Sequence, residues 1–142
     1  LDRKNEFNIP TKFYETYGDR NNIEDARLGK EFVFGDSMFG IAIENFSHRG
    51  FFTEKILDCF LLKTIPIYWG CSNIGDYFDI DGIIMVNNID DLIYKTNQLT
   101  KDYYKSKKEI IEKNWFLALK YVNYEQNIVN TITNIFKHNK LI

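Results

Sequence analysis

A chain of 142 residues suits one compact domain, and its 44% hydrophobic and 27% charged content is ordinary for a globular protein. A formal net charge of −2 argues against broad nucleic-acid binding, which needs a basic surface, although local basic clusters remain able to hold one phosphate ligand. No apolar run approaches the roughly 20 residues of a membrane span, and no signal peptide is visible.

Aromatic residues make up 16% of the chain, enough for a substantial core. The first residue is Leu1 rather than Met, which fits a piece of a longer protein. Residues 1 to about 30 are polar and irregular, punctuated by Pro10 and Gly18. A short helix over 10–17 is expected there, with Asn8 or Thr11 near its start. The run S-M-F-G-I-A-I-E-N at 37–45 has an apolar, β-branched centre and reads as a buried strand. A helix is expected over 53–63: Ile56, Leu57, Phe60 and Leu61 fall at helical spacing, and Thr53 is a good N-cap.

The next apolar run, Ile65 to Trp69, reads as a second strand. Pro66 suits its start or an edge, and Gly70 ends it. S-N-I-G-D-Y-F makes a short helix or turn, and G-I-I-M-V at 82–86 a third strand. A further helix begins with N-I-D-D-L, capped by Asn88. From about Tyr103 the tail is helical, with one apolar stripe of Ile111, Trp115 and Leu119 and another of Ile128, Ile132 and Ile135, both read as packing surfaces. Strands alternating with helices at this spacing predict an α/β fold: a Rossmann-like parallel sheet with flanking helices and a helical tail. Ligands of such sheets sit past the carboxyl ends of the strands, where Glu44, Asn45 and Gly70 lie.

The chemistry concentrates in E-N-F-S-H-R-G-F-F-T-E-K, residues 44–55. His48-Arg49-Gly50 is a turn with two potentially positive groups, and Gly50 permits positive φ or close ligand approach. Thr53 then caps a helix whose first turn holds Glu54 and Lys55. A helix N-terminus exposes unpaired N–H groups and a partial positive charge, a ready anion site. Lys55 adds a full charge beside it. Glu54 must face elsewhere, and a carboxylate accepting two ribose hydroxyls is a natural use. Read without function, the same residues are simply a capped helix start, since glutamate is common in first turns.

The longer run F-G-I-A-I-E-N-F-S-H-R-G-F-F-T-E-K-I-L-D-C-F-L-L-K-T-I-P-I-Y-W-G resembles the donor-binding half of the α1,3-fucosyltransferases. Their signature has an apolar strand, F-E-N-S/T, a short loop, Y-x-T-E-K, a helix, then x-P-I/V-Y/V-x-G. The likeness covers about residues 37 to 86. It implies a GT-B architecture, two Rossmann-like domains with the active site between them. This chain would then be a single donor-binding domain over 1–142, a fragment of a two-domain enzyme. The implied donor is GDP-fucose and the implied reaction inverting fucosyl transfer to a glycan hydroxyl. No cofactor is required, and the acceptor would be reached through a missing N-terminal domain.

By the same resemblance Lys55 holds the diphosphate and Glu54 the ribose hydroxyls, the two residues expected to act in catalysis. Asn45 binds near the phosphates or sugar. Glu44, His48, Arg49, Gly50, Phe51, Thr53 and Gly70 complete the expected donor site. Phe51 stands where the family has a tyrosine touching the diphosphate; that hydroxyl is absent here, so the contact is lost, or His48 or Arg49 compensates. Phe46 replaces a small residue, and Ile43 a phenylalanine. The family's upstream phosphate-binding arginine has Arg3 as its nearest candidate, then Arg20 and Arg27.

Other features read more plainly. Cys59 and Cys71 match no zinc or redox spacing, and Cys59 is expected to be buried. Asp76, Asp79 and Asp81 superficially suggest calcium but lack the twelve-position pattern, so a solvated loop is expected and no metal site. His138 is expected at the surface. Trp69 is expected to pack the sheet, with Tyr68 facing the other layer. Two alternatives remain open: a GT-B domain using another nucleotide sugar, and a degenerate domain that binds only a nucleotide or a partner.

Overall fold

The computed structural model describes residues 3–11 and 36–122. The expected helix over 10–17, Arg20, Arg27, the stripe of Ile128, Ile132 and Ile135, and His138 all lie wholly or largely outside the described residues. Among the described residues, three parallel strands form the sheet in the order β1-β2-β3: β1 (Phe39–Ile43), β2 (Ile65–Trp69) and β3 (Ile84–Met85). β1 is joined to β2 by α1 (Glu54–Leu61), and β3 is followed by α2 (Ile89–Asn97), α3 (Lys101–Ser106) and α4 (Lys108–Ala118). This is the α/β, Rossmann-like arrangement of a parallel sheet with flanking helices that the alternation of elements implied.

The register shows how the two faces are divided. Ala42 lies opposite Tyr68, and Ile43 opposite Trp69. Ala42 and Tyr68 pack with Ile56, Cys59 and Phe60 of α1 into the main core. Ile67, Val86 and Leu92 form a second, smaller cluster on the other face, with Trp69 and Phe7 against it. Period-two alternation therefore sends Tyr68 and Trp69 to opposite layers, as expected.

Pro66 stands at the start of the strand, one of its two expected places, as the second residue of the central β2, paired with Gly40. The Ile65 amide donates to Met38 across the β1 side, so by alternation the missing N–H of Pro66 would have pointed to the β3 side. There the pairing begins only at Ile67 with Ile84. The proline occupies the one turn of the ladder where nothing is lost.

Two expected boundaries shift. β3 has two residues instead of the five of 82–86, because Ile80–Gly82 is a 3₁₀ turn capped by Asp79, whose carboxylate accepts from the Asp81 amide. Gly82 is pressed against α4, where a Cβ would lie 2.5 Å from Asn114 Nδ2. The inward face of α4 is Ile111, Asn114 and Ala118 rather than Ile111, Trp115 and Leu119. Leu119 is exposed, in the 3₁₀ turn Leu119–Tyr121. A buried asparagine is tolerable because its oxygen accepts from the Asp79 amide at 2.7 Å and its nitrogen donates to the Asp79 carbonyl at 2.9 Å, so no polar group is stranded.

Candidate functional site

The site grows from the end of β1. The ladder continues one residue past the strand, since the Glu44 amide donates to the Trp69 carbonyl at 2.9 Å. That bond holds Glu44 on the α1 side of the sheet, in phase with Ala42, and its side chain is fully buried. One carboxylate oxygen accepts from the Thr53 amide at 2.9 Å and the other from the Thr53 hydroxyl at 2.7 Å. Thr53 is the N-cap of α1, as expected, and its hydroxyl oxygen lies 3.4 Å from the Lys55 amide that donates to it. Lys55 Nζ is 3.6 Å from Glu44, and its side chain is about one-third exposed. Glu54 is exposed.

The loop between Glu44 and Thr53 is tied to the segment after β2. The Ser47 hydroxyl donates to the Gly70 carbonyl at 2.7 Å. The Gly50 amide donates to Asn73 Oδ1 at 2.7 Å. Gly50 has φ +75°, the left-handed conformation that glycine adopts without strain, and a Cβ there would meet only ordinary contact with Tyr77. The requirement at Gly50 is conformational. At Gly70 it is spatial: a Cβ would lie 2.3 Å from Glu44 Cγ and 2.6 Å from the Tyr68 hydroxyl.

Tyr68 closes the floor of the site. Its hydroxyl oxygen accepts from the Cys71 amide at 2.9 Å. Burial chiefly pushes the phenol up to about 12; the Cys71 amide opposes this, and the neighbouring Glu44 charge adds to it. Burial likewise pushes the Cys59 thiol in α1 up to about 12, with the Asp58 charge adding to it. Both cysteines are buried and free.

The expected donor residues separate into three groups. Glu44, Thr53, Lys55 and Gly70 come together at the strand end. Arg49 reaches instead toward Asp76, at 3.5 Å, and His48 Nδ1 lies 2.8 Å from the Arg49 carbonyl; both are exposed. Phe51 stacks on the half-exposed Phe46, ring centroids 4.2 Å apart, while Asn45 beside it is exposed. Arg3 is engaged by Glu6 and by Asp90 at 2.7 Å, at the start of α2. Of the acidic trio, Asp79 pairs with Lys113 at 2.7 Å, which holds its carboxyl below the usual range, and Asp76 accepts from Asn73 at 2.7 Å. Sequence reasoning missed Ser47, Tyr68 and Asn73 as organisers of the loop. A serine and an asparagine in a polar stretch carry no local signal for partners 23 residues away.

On the opposite face of the sheet, at the same strand ends, lies an apolar cavity of about 490 Å³. Ile41, Ile43, Trp69, Val86 and Leu92 line it, with Asn87 and Asn88 at its polar side. Among the described residues, no helix is long and apolar enough to cross a membrane.

No family model matches the chain. Over 69 residues, 49% of this chain, it is 33% identical to the α-(1,3)-fucosyltransferase FucT of Helicobacter pylori. The matched part is 14% of that protein's length. A solved α1,3-fucosyltransferase structure shares the fold, with a TM-score of 0.50 and 24% identity, over 71% of this chain and 27% of that one.

Proposed function

We propose, from its similarity to α1,3-fucosyltransferases, that the chain forms the donor-binding part of an inverting glycosyltransferase, with GDP-fucose as donor. The observation that carries this reading is Lys55, a partly exposed cation in the first turn of a helix that begins beside a parallel strand end. The diphosphate lies against the α1 N-terminus and Lys55, where N–H groups and ammonium meet its charge. Exposed Glu54 accepts the ribose hydroxyls. Asn45 and the loop 48–51 border the sugar, and Gly50 keeps that loop in its turn.

In the transfer step an acceptor oxygen attacks the anomeric carbon from the face opposite the nucleotide. The bond to the diphosphate oxygen breaks as the new glycosidic bond forms, so GDP departs with its electron pair and added negative charge. The catalytic task on this side is to stabilise that charge. A charge-assisted hydrogen bond from Lys55 supplies about 1.5–3 kcal/mol, and the helix end about 0.3–2 kcal/mol. No metal is needed on this reading, since the positive groups come from the protein. The acceptor-activating base belongs to a second domain of a GT-B enzyme, so the 142-residue chain alone transfers no fucose.

Calorimetric titration of GDP, GDP-fucose, UDP and ADP into the chain tests this. Binding restricted to the guanosine nucleotides is expected, and Lys55→Ala lowers their affinity about 10- to 100-fold. Preference for UDP would point to another nucleotide-sugar transferase. No binding of any of the four would leave a non-catalytic domain as the better description.

A further inference from the structure

We infer that Glu44 is a positioning residue for Lys55: a buried carboxylate that sets where the first-turn ammonium stands, and not a group that touches the donor. The inference deepens the donor-binding reading and rests on it for one arm of its test.

A carboxylate fully removed from water is tolerated only when it is paired and hydrogen-bonded. Glu44 meets that condition mostly from the helix start, with the Tyr68 hydroxyl of β2 as a further partner. Its two oxygens take the amide and hydroxyl of Thr53, and the ammonium of Lys55 stands 3.6 Å from the second oxygen. One side chain from the strand end therefore fixes the residues on either side of Glu54. The carboxylate has nowhere else to go. Its methylenes occupy the space above Gly70, within 2.3 Å and 2.8 Å of where a Cβ would be, and the Tyr68 hydroxyl closes the same place. Gly70 is thus a glycine to admit Glu44, not to let a donor approach the backbone.

The geometry also explains how Lys55 is both held and available. An ammonium has three donors. A single contact at 3.6 Å directs the long side chain without consuming all three, and the side chain keeps about a third of its surface open. An unpaired lysine would have to give up most of its rotamer freedom when a ligand binds. Glu44 has already imposed much of that ordering.

Glu44→Gln in the 142-residue chain removes the charge at nearly constant shape. In the ligand-free protein the NMR order parameter of the Lys55 side chain is expected to fall, with that of the exposed Lys101 unchanged. GDP affinity is expected to fall about tenfold, the size of one side-chain coupling. In a Lys55→Ala background the same substitution is expected to change GDP affinity no further. An unchanged Lys55 order parameter would overturn the inference, and so would a tenfold loss that persists without Lys55, since Glu44 would then act on the fold or the ligand directly. Should wild type bind no GDP, the donor reading fails while the order parameter still decides the role of Glu44. Glu44→Asp withdraws the charge by one methylene and carries the same expectations at smaller amplitude, should Glu44→Gln not fold.

Discussion

Two helices here begin after a parallel strand, and their first turns are built differently. α2 brings its own anions. Its cap Asn88 accepts from the Asp91 amide at 2.9 Å, and Asp91 accepts from the Asn87 amide at 2.9 Å and from Lys95 at 3.0 Å. Asp90 beside it takes Arg3. The partial positive charge of that helix end is answered from within the chain. α1 has Glu54 and a lysine in its first turn, and the buried Glu44 reaches that lysine from underneath. The difference teaches that topology alone does not make an anion site. The same strand–helix junction serves the fold in one place and leaves a cation facing outward in the other.

That contrast can be broken at its foundation first. Gly70→Ala is expected to lower stability by up to about 3 kcal/mol, the cost of forcing an atom into filled space, because its Cβ would overlap Glu44. Gly75→Ala, whose Cβ would sit 3.9 Å from the nearest atom, is expected to stay within about 0.5 kcal/mol. Urea midpoints measure both, and equal effects would remove the spatial argument for Gly70.

A second effect, seen only at high pH, separates the layers beneath the two helices. Under α1, Cys59 and Tyr68 are acids whose folded values rise from 9.0 and 10.0 to about 12. The folded state holds those protons more tightly than the unfolded chain does. Stability is therefore whole below the ordinary values and is lost as pH climbs toward 12, at up to about 1.4 kcal/mol per pH unit for each group. The buried residues of α2 that could match them, Leu92 and Ile93, do not titrate. Cys59→Ala and Tyr68→Phe should each flatten the alkaline fall in melting temperature. An unchanged slope in both would sink the assignment.

The smallest expected effect is at α2. The Lys95 hydrogen bond foremost holds the Asp91 carboxyl below its usual range. Its contribution is present above the ordinary carboxylate value and disappears as pH drops through the lowered one. Asp91→Asn should remove that part of the acid-side decline in thermal melts, and an unchanged acid-side slope would count against the pairing with Lys95.

Much of this was legible locally. Thr53 and Asn88 announced their helix starts, because a cap is a contact between near neighbours in the chain. Ile65 to Trp69 announced a strand through continuous apolar, partly β-branched character. That the strand of Pro66 is the central one was not legible, since a proline suits a strand start or an edge and only the fold shows that pairing with β3 begins at Ile67, one residue later. Neither was the inward face of α4. Asn114 looks polar in sequence and becomes a core residue only when the Asp79 backbone arrives to satisfy it.

The site divides the same way. Residue order alone determined that a cation, a carboxylate and a capped helix would stand side by side at 53–55, because positions one and two apart in a first turn cannot be separated. Only tertiary structure decided what Glu44 and Gly70 are for. Their meaning depends on the 25 residues between them folding back to place one side chain over the other's Cα, and steric exclusion across such a distance leaves no trace in periodicity or propensity.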